Sequence, residues 1–142
     1  MEDLIQLLHE GHHSLVVANG DVCAFDGRGV NDLYDLFRKD PGFLKDASLA
    51  DKIVGKAAAA LMALAKVREM YADVVSRPAL DLLADSKISV SYGTVVPHIV
   101  NRTQTGWCPL ETLCLDCLTP QDCLVRIEEF ITLQSKKINP NK

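Results

Sequence analysis

The sequence predicts an α/β fold, a three-layer α/β/α sandwich with a mixed sheet. The first indication is a hairpin near the start, where Ser14–Ala18 and Val22–Phe25 are joined by Asn19-Gly20-Asp21, a turn that suits positive φ values. The second is that later β-rich segments alternate with helical ones, as in parallel strands joined by crossovers. The third is size, because 142 residues, 48% of them apolar, predict one domain over residues 1–142.

Two short helices are predicted around the hairpin. The apolar spacing of residues 4–8 indicates an opening helix, and Gly11 is a suitable residue for its C-terminal cap. After the hairpin, residues 33–37 again place apolar side chains on one helical face. Because the residue before a proline avoids helical geometry, this second helix should end before Pro41.

A long buried helix is predicted next, from Asp51 to about Arg68. Ser48 stands three residues before Asp51, as a capping residue would, and the run Ala57–Ala60 continues into apolar residues. So little polar surface indicates that this helix packs against the sheet.

The remaining elements alternate in type. The pattern predicts a strand, a helix capped by Ser76-Arg77-Pro78, a second strand, an extended piece broken by Pro97 and a last helix opened by Thr119-Pro120-Gln121-Asp122. Their predicted ranges are Met70–Val75, Ala79–Ala84, Ile88–Tyr92, Val95–Val100 and the segment that follows Thr119.

Composition excludes several classes of protein. The formal charge is −4, from 15 Lys and Arg against 19 Asp and Glu, without a long basic run, so a nucleic-acid partner is not expected. The start lacks a basic segment followed by a long apolar one, and no stretch has the length of a membrane span. The five cysteines, an odd number, indicate reduced thiols. We expect a cytoplasmic protein.

The predicted long helix suggests an anion pocket. Lys52 and Lys56, four residues apart, would project from one helical face near the free amides of the N-terminus, and Gly55 would let a ligand approach. The alternative is that both lysines are solvated and that Gly55 only permits close packing.

A second block suggests reactive groups. Cys108 precedes a proline at a predicted helix start and lies near Arg102, an environment that lowers a thiol pKa and makes a nucleophile. Asp51 and Glu111 are the carboxylates expected to reach the same pocket, as a general base or as a lysine partner. The alternative for Cys108 is a small packed residue.

The other cysteines leave a metal interpretation open. Cys108, Cys114, Cys117 and Cys123 could together hold zinc or an iron-sulfur cluster, although only one Cys-x-x-Cys pair is present. We expect Cys123, in a helix, and Cys23, in a strand, to be shielded, and Cys108 to be the most reactive thiol.

The residues also carry a family resemblance. The segments Asp51-Lys52-x-x-Gly55-Lys56-Ala57-Ala58-Ala59, Pro78-Ala79-Leu80, Asn101-Arg102 and Gly106-x-Cys108-Pro109-x-Glu111 resemble a bacterial family of uncharacterised domains placed in the cytidine deaminase-like superfamily. The resemblance implies the deaminase-like α/β/α sandwich. It does not imply deamination, since the positions of the zinc ligands hold Gly55-Lys56-Ala57 and Pro78-Ala79-Leu80-Asp81-Leu82.

These observations predict a cytoplasmic domain that binds a small anionic metabolite or nucleotide. If it is an enzyme, Cys108 attacks, Lys52, Lys56 and Arg102 hold the anion, and Asp51 or Glu111 moves protons. The alternatives are a non-catalytic sensor or interaction module and a cysteine-bound metal protein. The cofactor is left open, and a homodimer is plausible because deaminase-like proteins often assemble.

Overall fold

A computed structural model describes residues 1–27, 30–99 and 109–138 of the chain, with side chains through residue 133. The strands are β1 (Leu15–Asn19), β2 (Asp21–Phe25), β3 (Ser48–Val54), β4 (Glu69–Ser76) and β5 (Ser89–Val96). The helices are α1 (Glu2–Glu10), α2 (Asn31–Lys39), α3 (Pro41–Leu44), α4 (Lys56–Ala65), α5 (Arg77–Ala84), α6 (Pro109–Cys114) and α7 (Pro120–Ile138).

One mixed sheet organises the described residues, in the order β2-β1-β3-β4-β5. The hairpin of β1 and β2 is antiparallel, with Gly20 at its tip at φ +83°, and β1 pairs antiparallel with β3. The pairs β3 with β4 and β4 with β5 are parallel and are joined by the crossover helices α4 and α5. The predicted hairpin and the mixed sheet are therefore confirmed.

Helices cover the sheet unequally. On one face, α1 packs Leu4 and Leu8 against Val16 and Ala50. The other face carries the main core, where α4 is almost wholly buried and contacts α2, α3, α5, α6 and α7. Because α4 lies between the sheet and the other helices, its alanines allow close packing on all sides.

The predicted helix from Asp51 to Arg68 is wrong in its first part. Residues Ser48–Val54 form β3, the central strand, and the helix begins only at Lys56. Leu49 and Ala50 are fully buried and pair with both neighbouring strands. The backbone hydrogen bonds and burial of the sheet therefore outweigh the local helical preference that Asp51-Lys52 suggested. The alanine run that suggested one long helix belongs to α4 alone.

The alternation of side chains shifts in the middle of the parallel strands. On β4 the core-facing residues are Ala72 and then Val75, three positions on, and the pairing of β4 with both neighbours omits Asp73. A Cβ added to Gly93 on β5 would lie 3.0 Å from the carbonyl oxygen of Asp73, so glycine permits this close approach. After this point in β4, the side chain that faces the main core is Val75 and not Val74.

The other predicted elements are found, with two changes. The extended piece after Tyr92 is not separate, because β5 runs unbroken to Val96. A short helix that was not predicted, α3, begins at Pro41, whose fixed φ suits the first position of a helix.

The last helix is amphipathic and closes the main core. Cys123 and Ile127 are fully buried, whereas Val125 is 55% exposed. This face packs on α4 and α6. In the described part of the chain no helix combines the length and apolarity needed to cross a membrane.

We predict that the main core depends on α7. Replacing Ile127, which is fully buried, by Ala should lower the free energy of unfolding by about 2–5 kcal/mol, because a cavity opens beside α4. The matched change Val125→Ala, on the exposed face, should alter it by less than about 0.5 kcal/mol. Urea denaturation of both variants measures the difference, and equal losses would contradict this packing.

Candidate functional site

The candidate site is built around one buried carboxylate. Glu111, on the first turn of α6, is only 2% exposed. Its Oε1 accepts hydrogen bonds from the backbone N–H of Lys56 and from Oγ of Ser76, both at 3.0 Å, and its Oε2 accepts one from the backbone N–H of Ile99 at 3.3 Å. A carboxylate removed from water needs such donors, and these come from three other segments of the chain.

The sheet brings the donors together. Val54 and Val75 are paired at the carboxyl ends of the parallel strands β3 and β4, and each strand runs directly into a helix. Ser76, the N-cap of α5, accepts a hydrogen bond from the backbone N–H of Ala79 at 3.2 Å and donates its own proton to Glu111. The amino ends of α4 and α5 therefore converge on Glu111, whose charge their dipoles favour.

Gly55 gives this carboxylate its room. It is the N-cap of α4, and a Cβ there would lie 2.6 Å from Oε2 of Glu111 and 3.3 Å from Cγ1 of Ile99. The expectation that Gly55 admits a close neighbour is consistent with this geometry, but the neighbour is a side chain of the protein itself.

Lys56 binds carbonyl groups of the chain. Its Nζ donates to the carbonyl oxygens of Leu115 at 3.0 Å and Cys117 at 2.6 Å, which follow the last residue of α6. An ammonium at the carboxyl end of a helix stabilises the free carbonyls there. Lys56 thus ties the start of α4 to the end of α6.

The prediction that Lys52 and Lys56 share a helical face is wrong. Lys52 is exposed on β3, whereas Lys56 is the first residue of α4. The two lysines therefore lie on different elements, because the helix starts five residues later than the sequence suggested.

Asp51 lies in the sheet, opposite Leu15 and Ala72 in the pairing register, which places its carboxyl on the side of the main core. Burial raises its pKa to about 7, and the charge of Asp73 acts in the same direction, against a hydrogen bond from the backbone N–H of Ile53. Among the hydrogen bonds of the described residues, none joins Asp51 to Glu111.

Two predicted site residues, Arg102 and Cys108, lie outside the described residues. Cys108 directly precedes Pro109, where α6 begins as the sequence suggested, and Glu111 is two residues further on. The prediction that Cys108 is the nucleophile stays a prediction.

Three other cysteines form a cluster beside Lys56. The Sγ atoms of Cys114 and Cys117 lie 4.0 Å and 3.9 Å from the carbonyl oxygens of Cys123 and Leu113. Interactions with the Cys114 and Cys117 thiols and with the Lys56 charge lower the pKa of the Cys123 thiol to about 7, although burial acts in the opposite direction. The hydrogen bond to Cys123 and burial raise the pKa of Cys114. In the sequence only the spacing of these cysteines hinted at their proximity.

The shielding of the cysteines was predicted correctly for one of two. Cys123 is fully buried, but Cys23 is exposed because β2 is an edge strand of the sheet. Within the ranges 1–27, 30–99 and 109–133, no three His, Cys, Asp or Glu side chains are placed to hold a metal ion.

The histidines at the end of α1 have partners that the sequence did not reveal. His9 Nε2 lies 2.6 Å from Oδ1 of Asp73, which also accepts a hydrogen bond from the Tyr71 hydroxyl at 2.8 Å. His13 Nδ1 lies 2.6 Å from Oδ1 of Asp26. These pairs join α1 and its following turn to the sheet.

An open cleft of about 1010 Å³ runs along α4, α5 and the turn that joins α6 to α7, from Lys56 and Pro78 at the helix starts to Lys66 and Lys87 beyond the helix ends. Among the described residues, its charged lining consists of four cations, Lys56, Lys66, Arg68 and Lys87, and three carboxylates, Asp46, Asp81 and Asp85. Its apolar lining includes Leu82, Ile88 and Leu118.

Comparison with known proteins agrees with this fold. Residues 3–131 match the family described as TM1506, domain of unknown function (DUF1893), and the chain belongs to this family. The crystal structure of a DUF1893 family protein, TM1506 from Thermotoga maritima, superimposes with a TM-score of 0.84 at 26% sequence identity. The match covers 90% of this chain and 87% of that one. No curated protein matches the sequence.

The Gly55 contact makes a prediction. Gly55→Ala should lower the free energy of unfolding by about 1–3 kcal/mol, because the new methyl group pushes Glu111 away from its donors. The matched change Gly42→Ala, in α3, has nothing nearer than 4.0 Å and should be neutral or stabilise by up to about 1 kcal/mol. Chemical denaturation checks both, and similar effects at the two glycines would contradict the proposed contact.

Asp51 makes a pH-dependent prediction. Since its pKa is raised in the fold to about 7, the folded protein binds more protons than the unfolded chain between about pH 4 and 7. Stability is therefore lost as the pH rises through that window. Asp51→Asn, which keeps an acceptor for the Ile53 amide, should become more stable than wild type by about 1–3 kcal/mol at pH 8 and differ little at pH 4.

Urea denaturation at the two pH values measures this effect. Asp35→Asn, which removes an exposed carboxyl on α2, is the matched control and should run parallel to wild type. A constant difference between Asp51→Asn and wild type at pH 4 and 8 would show that Asp51 is ionised normally in the fold.

Proposed function

We propose that this DUF1893 domain has the cytidine deaminase-like fold without its zinc chemistry, and that it binds a small anionic metabolite of about nucleotide size. The proposed site is the cleft along α4 and α5, in the part that lies beyond the ends of these helices, where Lys66 and Arg68 precede β4 and Lys87 precedes β5. The observation that carries the proposal is the group of cationic side chains that line the cleft, four in number against three aspartates, Asp46, Asp81 and Asp85, in the described part of the chain.

Two of the cationic side chains are available to a ligand. Arg68 forms an ion pair with Glu69 at 3.2 Å, and Lys56 is bound to carbonyls. Lys66 and Lys87 have no side-chain partner in the part of the chain that the structure describes. They are the groups that we assign to the anion, in place of Lys52.

The rest of the lining suits a ligand with more than an anionic group. Leu82 and Ile88 offer apolar contact, while Asp81 and Asp85 can accept hydrogen bonds from amino or hydroxyl groups. A volume of about 1010 Å³ lies at the upper end of small-molecule pockets. A nucleotide has the required combination of phosphate, polar edges and a flat apolar face.

The Glu111 arrangement favours binding over the catalytic alternative. Glu111 is only 2% exposed, accepts three hydrogen bonds from the protein and is not among the residues that line the cleft, so its role in the described residues is to hold the helix starts together. At the helix starts where deaminases hold zinc, this chain has Gly55-Lys56 and Pro78-Ala79, which offer no thiolate or imidazole. Catalysis would therefore depend on Cys108.

The test is a thermal melt with inorganic phosphate, and then with nucleoside monophosphates. A ligand that binds the folded state at a hundred times its dissociation constant stabilises by about 2.7 kcal/mol, which corresponds to a Tm rise of about 5–10 °C for a chain of this size. The double variant Lys66→Gln/Lys87→Gln should lose this rise, because the anion has lost its charged partners.

The matched control, Lys39→Gln/Lys45→Gln, removes the same charge away from the cleft lining and should keep the rise. No rise in wild type with any of these anions would overturn the proposal. An equal loss of the Tm rise in both double variants would show that the stabilisation by anions depends on the net charge of the protein and not on binding in the cleft.

A further inference from the structure

The strand β5 forms one edge of the sheet and has a long, uncharged sequence. Within the described residues it pairs with β4 alone, so the N–H and C=O groups of its outer side have no strand partner there. Its eight residues, Ser89–Val96, include no charged side chain and no proline. Soluble proteins usually protect such an edge with charged residues or prolines. The strand β5 therefore has the features of an edge that pairs with another chain.

The opposite edge, β2, is shorter and is flanked by charge. It has five residues, begins at Asp21 and is followed by Asp26, whose carboxylate lies 2.6 Å from the ring of His13. The sheet is thus open to extension on one side only. Because a single open edge pairs with one further strand, pairing there closes at two chains and does not propagate into a fibre.

An open apolar groove of about 260 Å³ runs beside β5, between this strand and α5. Its lining includes Leu80, Ile88, Val90 and Tyr92. Tyr92 is 47% exposed although its neighbours in the groove are apolar. A strand added at this edge gains backbone hydrogen bonds from β5 and hydrophobic contact from the groove.

We propose that this edge is the interface of a homodimer, in which β5 pairs antiparallel with β5 of the partner subunit about a twofold axis at Ser91. In this register Tyr92 lies opposite Val90 of the partner subunit. Both side chains are on the α5 face of the sheet, because these residues pair with the core residues Ala72 and Met70 of β4. An aromatic residue opposite a β-branched one is a favourable cross-strand pair, and the twofold axis repeats it.

The position and charge of α5 also suit a second copy. This helix contacts both β4 and β5, and strands are about 4.8 Å apart, so the two copies of α5 would run antiparallel about 10 Å apart, which is a packing distance. Arg77, exposed at the start of α5, shares a helical face with Leu80 and Ala84, which line the groove. It would lie near the carboxyl end of the partner's α5, whose free carbonyl groups are negative.

The first experiment measures the molar mass of the native protein by size-exclusion chromatography with light scattering, over a wide range of protein concentration. Wild type should have twice the mass of the chain. Tyr92→Lys should be monomeric, because its charge would have to be buried against Val90 of the partner subunit. The matched control, Val22→Lys, changes a residue that is 54% exposed on the opposite edge and should stay dimeric.

Circular dichroism verifies that the variants are folded. If Tyr92→Lys is not folded, Ser91→Lys provides a second variant, because it places two like charges opposite each other at the twofold axis without changing the groove. A wild-type protein that is monomeric at every concentration would overturn the proposal. A folded Tyr92→Lys or Ser91→Lys protein that remains dimeric would also overturn it.

A disulfide link tests the register. Opposite residues of an antiparallel pair have Cα atoms about 4.5–5.5 Å apart, which a disulfide can span. Mild oxidation of Ser91→Cys should therefore join two chains, as seen on a non-reducing gel. Ser89→Cys should link far less, because its two copies are offset along the strands, and wild type, whose exposed Cys23 lies on β2, gives the background. Equal linking of Ser89→Cys and Ser91→Cys would contradict the twofold axis at Ser91.

Discussion

The site and much of the packing around it depend on one interaction, the burial of the Glu111 carboxylate against the amino ends of two helices. Ionised carboxylates are rarely buried without donors, and Glu111 has three in Lys56, Ser76 and Ile99. These donors belong to α4, to the end of β4 and to the segment after β5. One side chain of α6 thus holds together the three segments that follow the carboxyl ends of the parallel strands. All three hydrogen bonds form only when these strands are correctly aligned.

Lys56 connects this carboxylate to the cysteine cluster. Its backbone N–H binds Glu111, while its side chain reaches the carbonyls that follow α6. The first residue of α4 therefore holds both ends of α6 in place, and α6 in turn carries Glu111 near one end and Cys114 at the other. Gly55 completes the arrangement because any larger residue would occupy the space of the carboxylate.

The sequence was sufficient for the hairpin, the mixed sheet and most of the helices. The prediction was wrong at β3, because the pattern from Asp51-Lys52 through the alanines after Gly55 is typical of one helix. The segment becomes a strand only because it pairs with β1 and β4. Lys56 was predicted to bind a ligand, yet its ammonium binds carbonyl groups of the chain, and Lys52 lies on a different element. No local pattern distinguishes these roles, since they depend on contacts between distant segments.

The most direct test of the central interaction is a double-mutant cycle between Glu111 and Ser76, with Glu111→Gln, Ser76→Ala and the double variant measured by urea denaturation. The cycle removes the separate effect of Ser76 as the cap of α5. A charge-assisted hydrogen bond between buried groups predicts a coupling of about 1–3 kcal/mol. Additive losses would show that the two side chains do not interact, and that the amino ends of α4 and α5 are not held together by this carboxylate.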